Sequence, residues 1–169
     1  MPAVLATPIR NESRAGEREA VGLLMAHFFG EKARLEHRAD GMPYVEGSDL
    51  YVSVSHGAGM AVLAVDSNPI GVDIERARAQ LLRIAGKFLC PGDSADPNDI
   101  ASLLRAWTAK EAAYKAASAS GFDLSSLTVS KITVVDSDAD SATAVLPAGD
   151  VFDISYHIVS STVLLAVSR

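Results

Sequence analysis

Between residues 50 and 74 three short apolar runs, 50–55, 60–65 and 70–74, follow one another with only turn residues between them. His56-Gly57-Ala58-Gly59 and Asp66-Ser67-Asn68-Pro69 separate the runs, and neither segment is long enough to hold a crossover helix. Strands joined so tightly pair antiparallel, so the spacing predicts an antiparallel meander. A helical period precedes it over 12–29, where Ala20, Leu23, Leu24, His27 and Phe28 recur at three- and four-residue steps and Gly30 is the stop. Two further helices are expected over 76–89 and 99–118, separated by a Pro-, Gly- and Asp-rich loop over 90–98. Beyond Gly121 come four β-rich segments, 127–135, 142–146, 152–159 and 162–167. Helix, strands, helices, then strands again is an α+β order and not an alternating parallel one. The first dozen residues carry no clear period, and Asp40-Gly41-Met42-Pro43 reads as a turn.

Composition narrows the setting. A chain of 169 residues with 49% hydrophobic and 21% charged residues can bury a core as one soluble domain. The single cysteine, Cys90, excludes an internal disulfide and fits a reducing compartment. No apolar stretch approaches the ~20 residues of a membrane helix, so a cytoplasmic protein is expected. A net charge of −6 argues against broad nucleic-acid binding, which needs a basic face.

Gly71-Val72-Asp73-Ile74-Glu75 and Trp107-Thr108-Ala109-Lys110-Glu111-Ala112-Ala113-Tyr114-Lys115 carry the chemistry. On a strand, Asp73 and Glu75 are two apart and project from one face, and they interrupt an otherwise apolar run from Pro69 to Ile74. On a helix, Glu111 and Lys115 are four apart and share a face. Each half alone also reads as a solvated edge or helix face. Together, three carboxylates can hold a hard divalent cation through oxygen, and a lysine one turn beyond can meet an anion bound to it. Metal, lysine and anion point to phosphoryl chemistry.

These two motifs, with Val52-Ser53-Val54-Ser55-His56-Gly57-Ala58-Gly59 before them, resemble in order and rough spacing the signatures of the 4'-phosphopantetheinyl transferase superfamily. The branch resembled is the surfactin-synthetase-activating (Sfp-like) one, in a short form, and the likeness runs from about Glu17 to Thr133. It implies an α+β fold of two pseudo-twofold-related halves with antiparallel sheets, approximately 1–68 and 69–169, with the site in the cleft between them. It also implies a monomer, and a first half that lacks an N-terminal strand found in longer members.

The activity implied is transfer of the 4'-phosphopantetheine arm of coenzyme A to a serine of an apo acyl or peptidyl carrier protein. Asp73, Glu75 and Glu111 match the family's metal-binding acids, with Mg2+ the expected ion and Mn2+ a substitute. Glu111 is also the candidate proton acceptor, and Lys115 matches the lysine that contacts the pyrophosphate. Lys110, adjacent to Glu111, is expected to point elsewhere. Ser55 and His56 match a phosphate-contacting pair. On chemistry alone His56 reads as either a structural histidine or a ligand contact, and the flanking Gly57 and Gly59, which let a ligand approach, favour contact. Gly41 and Pro43 shape the nucleotide end, where Met42 departs from the lysine usual in relatives. Arg18 aligns with a basic coenzyme A contact, although a solvated helix charge explains it as well. Asp93 falls where relatives often carry a glutamate, and its role stays open.

Arg76, Arg78, Arg83 and Lys87 form an acid-free basic stretch on which the acidic helix of a carrier is expected to dock. The competing readings are a non-catalytic coenzyme A or carrier-protein binding relative, and another magnesium-dependent phosphotransferase or nuclease. The acidic balance and the Ser-His motif argue against the latter.

Overall fold

A computed structural model describes residues 1–169. The chain runs β1 (Ala3–Pro8), α1 (Arg14–Phe29), β2 (Leu35–His37), β3 (Pro43–Val45), β4 (Tyr51–Gly57), β5 (Met60–Asp66), β6 (Gly71–Arg76), α2 (Gln80–Phe88), α3 (Ile100–Ala119), β7 (Thr133–Val135), β8 (Ser141–Val145), β9 (Val151–Ser160) and β10 (Val163–Ser168). This is the α+β class expected, with every recorded strand pairing antiparallel. No helix is long and apolar enough to cross a membrane.

Local chemistry sets the helix ends. Ser13 caps α1 by accepting from the Gly16 N–H, and Asp99 caps α3 by accepting from the Ser102 N–H at 2.8 Å. Nothing caps α2 through a side chain. It begins at Gln80, because Arg76 still belongs to β6, and the expected helical start at 76 is therefore four residues early.

Two sheets carry the core. The three-stranded one has the order β1-β5-β4, and α1 covers it through Ala20, Leu24 and Met25 against Val52, Ala61, Leu63 and Val65. The five-stranded one has the order β6-β10-β9-β8-β7. The alanine face of α3, at Ala109, Ala112, Ala113 and Ala116, lies on this sheet against Ala166, Ile154 and Tyr156. Alanine keeps this contact short: a Cβ at Gly71 would collide with the Ala112 carbonyl, so only glycine lets β6 start there. The outer faces of β6 and β10 meet Val62 and Ala64 of β5 in a third apolar cluster, which buries β5 on both sides.

Three sequence expectations change. The opening residues form an edge strand, β1, whose exposure alternates although its side chains are nearly all apolar, so no period shows in the sequence. The meander stops at β5, because β6 leaves it to pair with β10. The segment 127–135 divides into a 3-10 turn (Val129–Lys131) and β7. The Asp40–Pro43 turn is present, and it links the short strands β2 and β3, with Gly41 at φ 87°.

Candidate active site

β6 and α3 bring the two motifs together. Asp73 and Glu75 stand opposite Ala166 and Leu164 of β10 in the ladder, and those two pack in the core that α3 covers. Their carboxylates therefore face the helix. Trp107, Glu111 and Lys115, at four-residue steps on α3, present one stripe to them. Trp107 Nε1 donates to Glu75 Oε1 at 3.1 Å, and Arg78 lies 3.7 Å from Glu75 Oε2. Lys115 Nζ donates to Asp73 Oδ1 at 2.9 Å and to the Val72 carbonyl at 2.8 Å. Asp73 Oδ2 is buried with no hydrogen-bond partner.

Burial and mutual charge raise two of the three acids. Burial, then the charge of Asp73, lifts the Glu111 carboxyl from 4.5 to about 7, with Lys115 opposing and Glu75 adding. Burial and Asp73 raise Glu75 as well, against the Trp107 hydrogen bond and the charges of Arg78 and Lys115. No three His, Cys, Asp or Glu side chains form a ready-made metal cage. That does not disqualify magnesium, which keeps several waters and commonly takes one or two carboxylates plus substrate phosphates. An all-oxygen donor set, carboxylates that raise one another and an orphaned carboxylate oxygen fit a hard cation.

A cavity of about 850 Å³ opens beside this cluster, with Lys115 on its wall. Arg18, Gly41, Pro43 and His56 line the same cavity, so these expected coenzyme A contacts share one space. His56 Nδ1 lies 3.4 Å from Glu17 Oε1, which leaves Nε2 for other partners. Arg14, one turn before Arg18 on α1, and Arg34 also line the cavity. Sequence reading missed both, although the four-residue step from Arg14 to Arg18 was a usable signal. Met42 is buried, with Arg38 Nη1 at 3.7 Å from its sulfur.

Ser55 stands apart from that set. It is buried, it does not line the cavity, and its hydroxyl faces Asp73. Lys110 points away from the cleft, as its place beside Glu111 implies, and its Nζ meets Asp93 Oδ2 at 2.6 Å and the Phe88 carbonyl at 2.8 Å. Asp93 also accepts from the Cys90 and Val134 N–H groups, so its capacity is taken up inside the protein. Arg76, Arg78, Arg83 and Lys87 are all exposed, but Arg76 lies on β6 and donates to the Ala58 carbonyl at 3.1 Å, while Arg83 and Lys87 lie on α2.

Parts of this chain are similar in sequence to known proteins. A 4'-phosphopantetheinyl transferase of Bacillus subtilis is 39% identical over 57 residues, covering 33% of this chain and 25% of that protein. The 4'-phosphopantetheinyl transferase gsp of Aneurinibacillus migulanus is 30% identical over 82 residues, covering 45% of this chain and 34% of its own. The matches thus span a quarter to about a third of these curated relatives. The sequence profile of the 4'-phosphopantetheinyl transferase superfamily matches residues 69–167, from just before β6 to the end of β10, and this match places the chain in that superfamily.

Proposed function

We propose that the protein transfers the 4'-phosphopantetheine arm of coenzyme A to a serine of an apo acyl or peptidyl carrier protein. The carrier serine oxygen forms a bond to the β-phosphorus of the coenzyme A pyrophosphate. The bond from that phosphorus to the bridging oxygen breaks, and adenosine 3',5'-bisphosphate departs with the electron pair. The observation that supports this reading is the contact of Lys115 with Asp73, with Glu75 and Glu111 on the facing strand and helix, beside a large cavity that Lys115 and other cations line.

Negative charge builds on phosphate oxygens during such a transfer, so fixed positive charge and positioning supply most of the rate. Lys115 stands where the pyrophosphate would reach the carboxylate cluster. His56, Arg18 and Arg14 suit the phosphates at the nucleotide end, with Gly41 and Pro43 shaping the wall. Asp73, Glu75 and Glu111 would hold Mg2+, or Mn2+ in its place. When bound, that ion would neutralise phosphate charge as a Lewis acid. Glu111, with a pKa near 7 in the metal-free protein, is the group placed to take the serine proton, directly or through water.

The carrier is assigned to the basic surface after β6, where Arg78, Arg83 and Lys87 are exposed and would attract an acidic helix. The pseudo-twofold halves near 1–68 and 69–169, a monomeric state and a cytoplasmic setting belong to the same reading.

Buried Met42, in place of the usual lysine, favours one alternative, a relative that binds coenzyme A or a carrier without reacting. Intact-mass analysis of an apo carrier incubated with coenzyme A, magnesium and the protein separates them. Gain of one phosphopantetheine arm supports transfer. Coenzyme A binding with no mass gain on fatty-acid, polyketide and nonribosomal-peptide carriers supports the alternative.

A further inference from the structure

β4 and β6 are the facing edges of the two sheets, and no backbone ladder joins them. The seam is closed by side chains instead. Ser53 Oγ accepts the Val72 N–H at 3.0 Å, and Ser55 Oγ accepts the Ile74 N–H at 3.3 Å. Both serines are buried, 3% and 6% exposed, on β4, and a buried hydroxyl is tolerated only when it is bonded. A hydroxyl that accepts still has a proton to give. Ser55 gives its proton to Asp73 Oδ1 at 2.9 Å, while the partner recorded for Ser53 is the Val72 N–H.

Asp73 Oδ1 therefore takes two donors from opposite sides, Ser55 from β4 and Lys115 from α3, each at 2.9 Å. Two donors on one oxygen fix the rotation of the carboxylate and leave Oδ2 as the oxygen without a partner. We propose that Ser55 is a positioning residue: its hydroxyl clamps Asp73 Oδ1 so that Oδ2 is presented to the cation, and Ser55 itself does not touch coenzyme A. This rests on the metal reading under Proposed function and replaces the direct phosphate contact that the resemblance implies for Ser55. Partners that orient a metal ligand typically matter 10–100-fold in metal affinity.

The test is Mn2+ binding by the whole protein, read by electron paramagnetic resonance without coenzyme A. Ser55→Ala is expected to weaken Mn2+ binding about 10–100-fold. Ser55→Thr, which restores the hydroxyl, should recover most of that loss. Ser53→Ala removes the same kind of seam bond without touching a carboxylate, so it should lose comparable stability in denaturant and keep wild-type Mn2+ affinity. Coenzyme A binding measured in chelator should be unchanged in Ser55→Ala. If Ser55→Ala fails to fold, Ser55→Cys supplies the comparison, since a thiol of similar shape is a weaker hydrogen-bonding group. Wild-type Mn2+ affinity in Ser55→Ala overturns the clamp and leaves the metal reading standing. A coenzyme A defect in chelator overturns it in favour of direct contact. A wild-type protein that binds no Mn2+ overturns the metal reading and the clamp together.

Discussion

Two lysine–aspartate pairs five residues apart on α3 have opposite characters. Lys110 and Asp93 are 0% and 3% exposed and meet at 2.6 Å, and every remaining demand of that carboxylate is met by backbone N–H groups. Lys115 and Asp73 are 30% and 8% exposed, and one Asp73 oxygen is left without a partner. The first pair faces the loop after α2 and closes on itself. The second faces β6 and the cavity and stays open. A closed pair ties elements together, whereas an open one holds charge in reserve for something that binds. Lysines of the same type on the same helix thus divide between structure and chemistry according to how completely their partners are satisfied.

The largest effect expected from breaking this contrast is on folding. Lys110→Met leaves the Asp93 charge buried and uncompensated, and should cost about 3–5 kcal/mol in denaturant unfolding. Lys115→Met should cost less stability than Lys110→Met, because Lys115 is itself 30% exposed while only Asp73 of this pair is buried. Its transfer rate should fall about 10²–10³-fold, as when one preorganised charge-stabilising donor is removed. A Lys115→Met protein with normal turnover would erase the functional half of the comparison.

A smaller effect follows from Glu111. Its pKa is raised from 4.5 to about 7 in the folded protein, so the fold binds a proton that the unfolded chain releases over that interval. The contribution of Glu111 to metal-free stability is therefore fully present below the lower value and is lost as pH rises from 4.5 to 7. Glu111→Gln should remove the decline and be more stable than wild type above pH 7, by about 1–2 kcal/mol after allowance for solvent screening. Thermal or denaturant unfolding across pH in chelator reads this, and parallel curves for the two proteins would contradict it. The smallest effect is at the surface. Arg83→Glu with Lys87→Glu should raise the carrier KM at low salt, the difference should shrink as ionic strength passes about 0.15 M, and coenzyme A binding should stay normal. A carrier KM unchanged at low salt would move docking off α2.

Much of this site was legible in the sequence. Strand and helix periods put Asp73 with Glu75 and Glu111 with Lys115, and the resemblance supplied the pairing of the strand with the helix. The end of α1 was legible because Gly30 stops the helical period, and α3 fell within one residue of the expected 99–118. The cap Ser13, which sets the start of α1 two residues later than expected, went unread. The start of α2 was not legible, since Ala79 offers no side-chain cap and the apolar period extends back past it. The departure of β6 from the meander was hidden too, because an apolar run buried on both faces does not record which strand lies beside it. The roles of Ser55 and Asp93 depend on partners 18 and 17 residues away, distances at which spacing in the chain carries no directional information.

The stoichiometry of the transfer tests the proposed reaction most directly. Apo carrier, coenzyme A, magnesium and the protein are combined, and carrier mass and free adenosine 3',5'-bisphosphate are quantified from the same reaction. One bisphosphate is expected for each phosphopantetheine arm gained, with both products absent when Asp73 is replaced by alanine or chelator is added. Bisphosphate released with no gain in carrier mass, or neither product from a folded protein that binds coenzyme A, would contradict it.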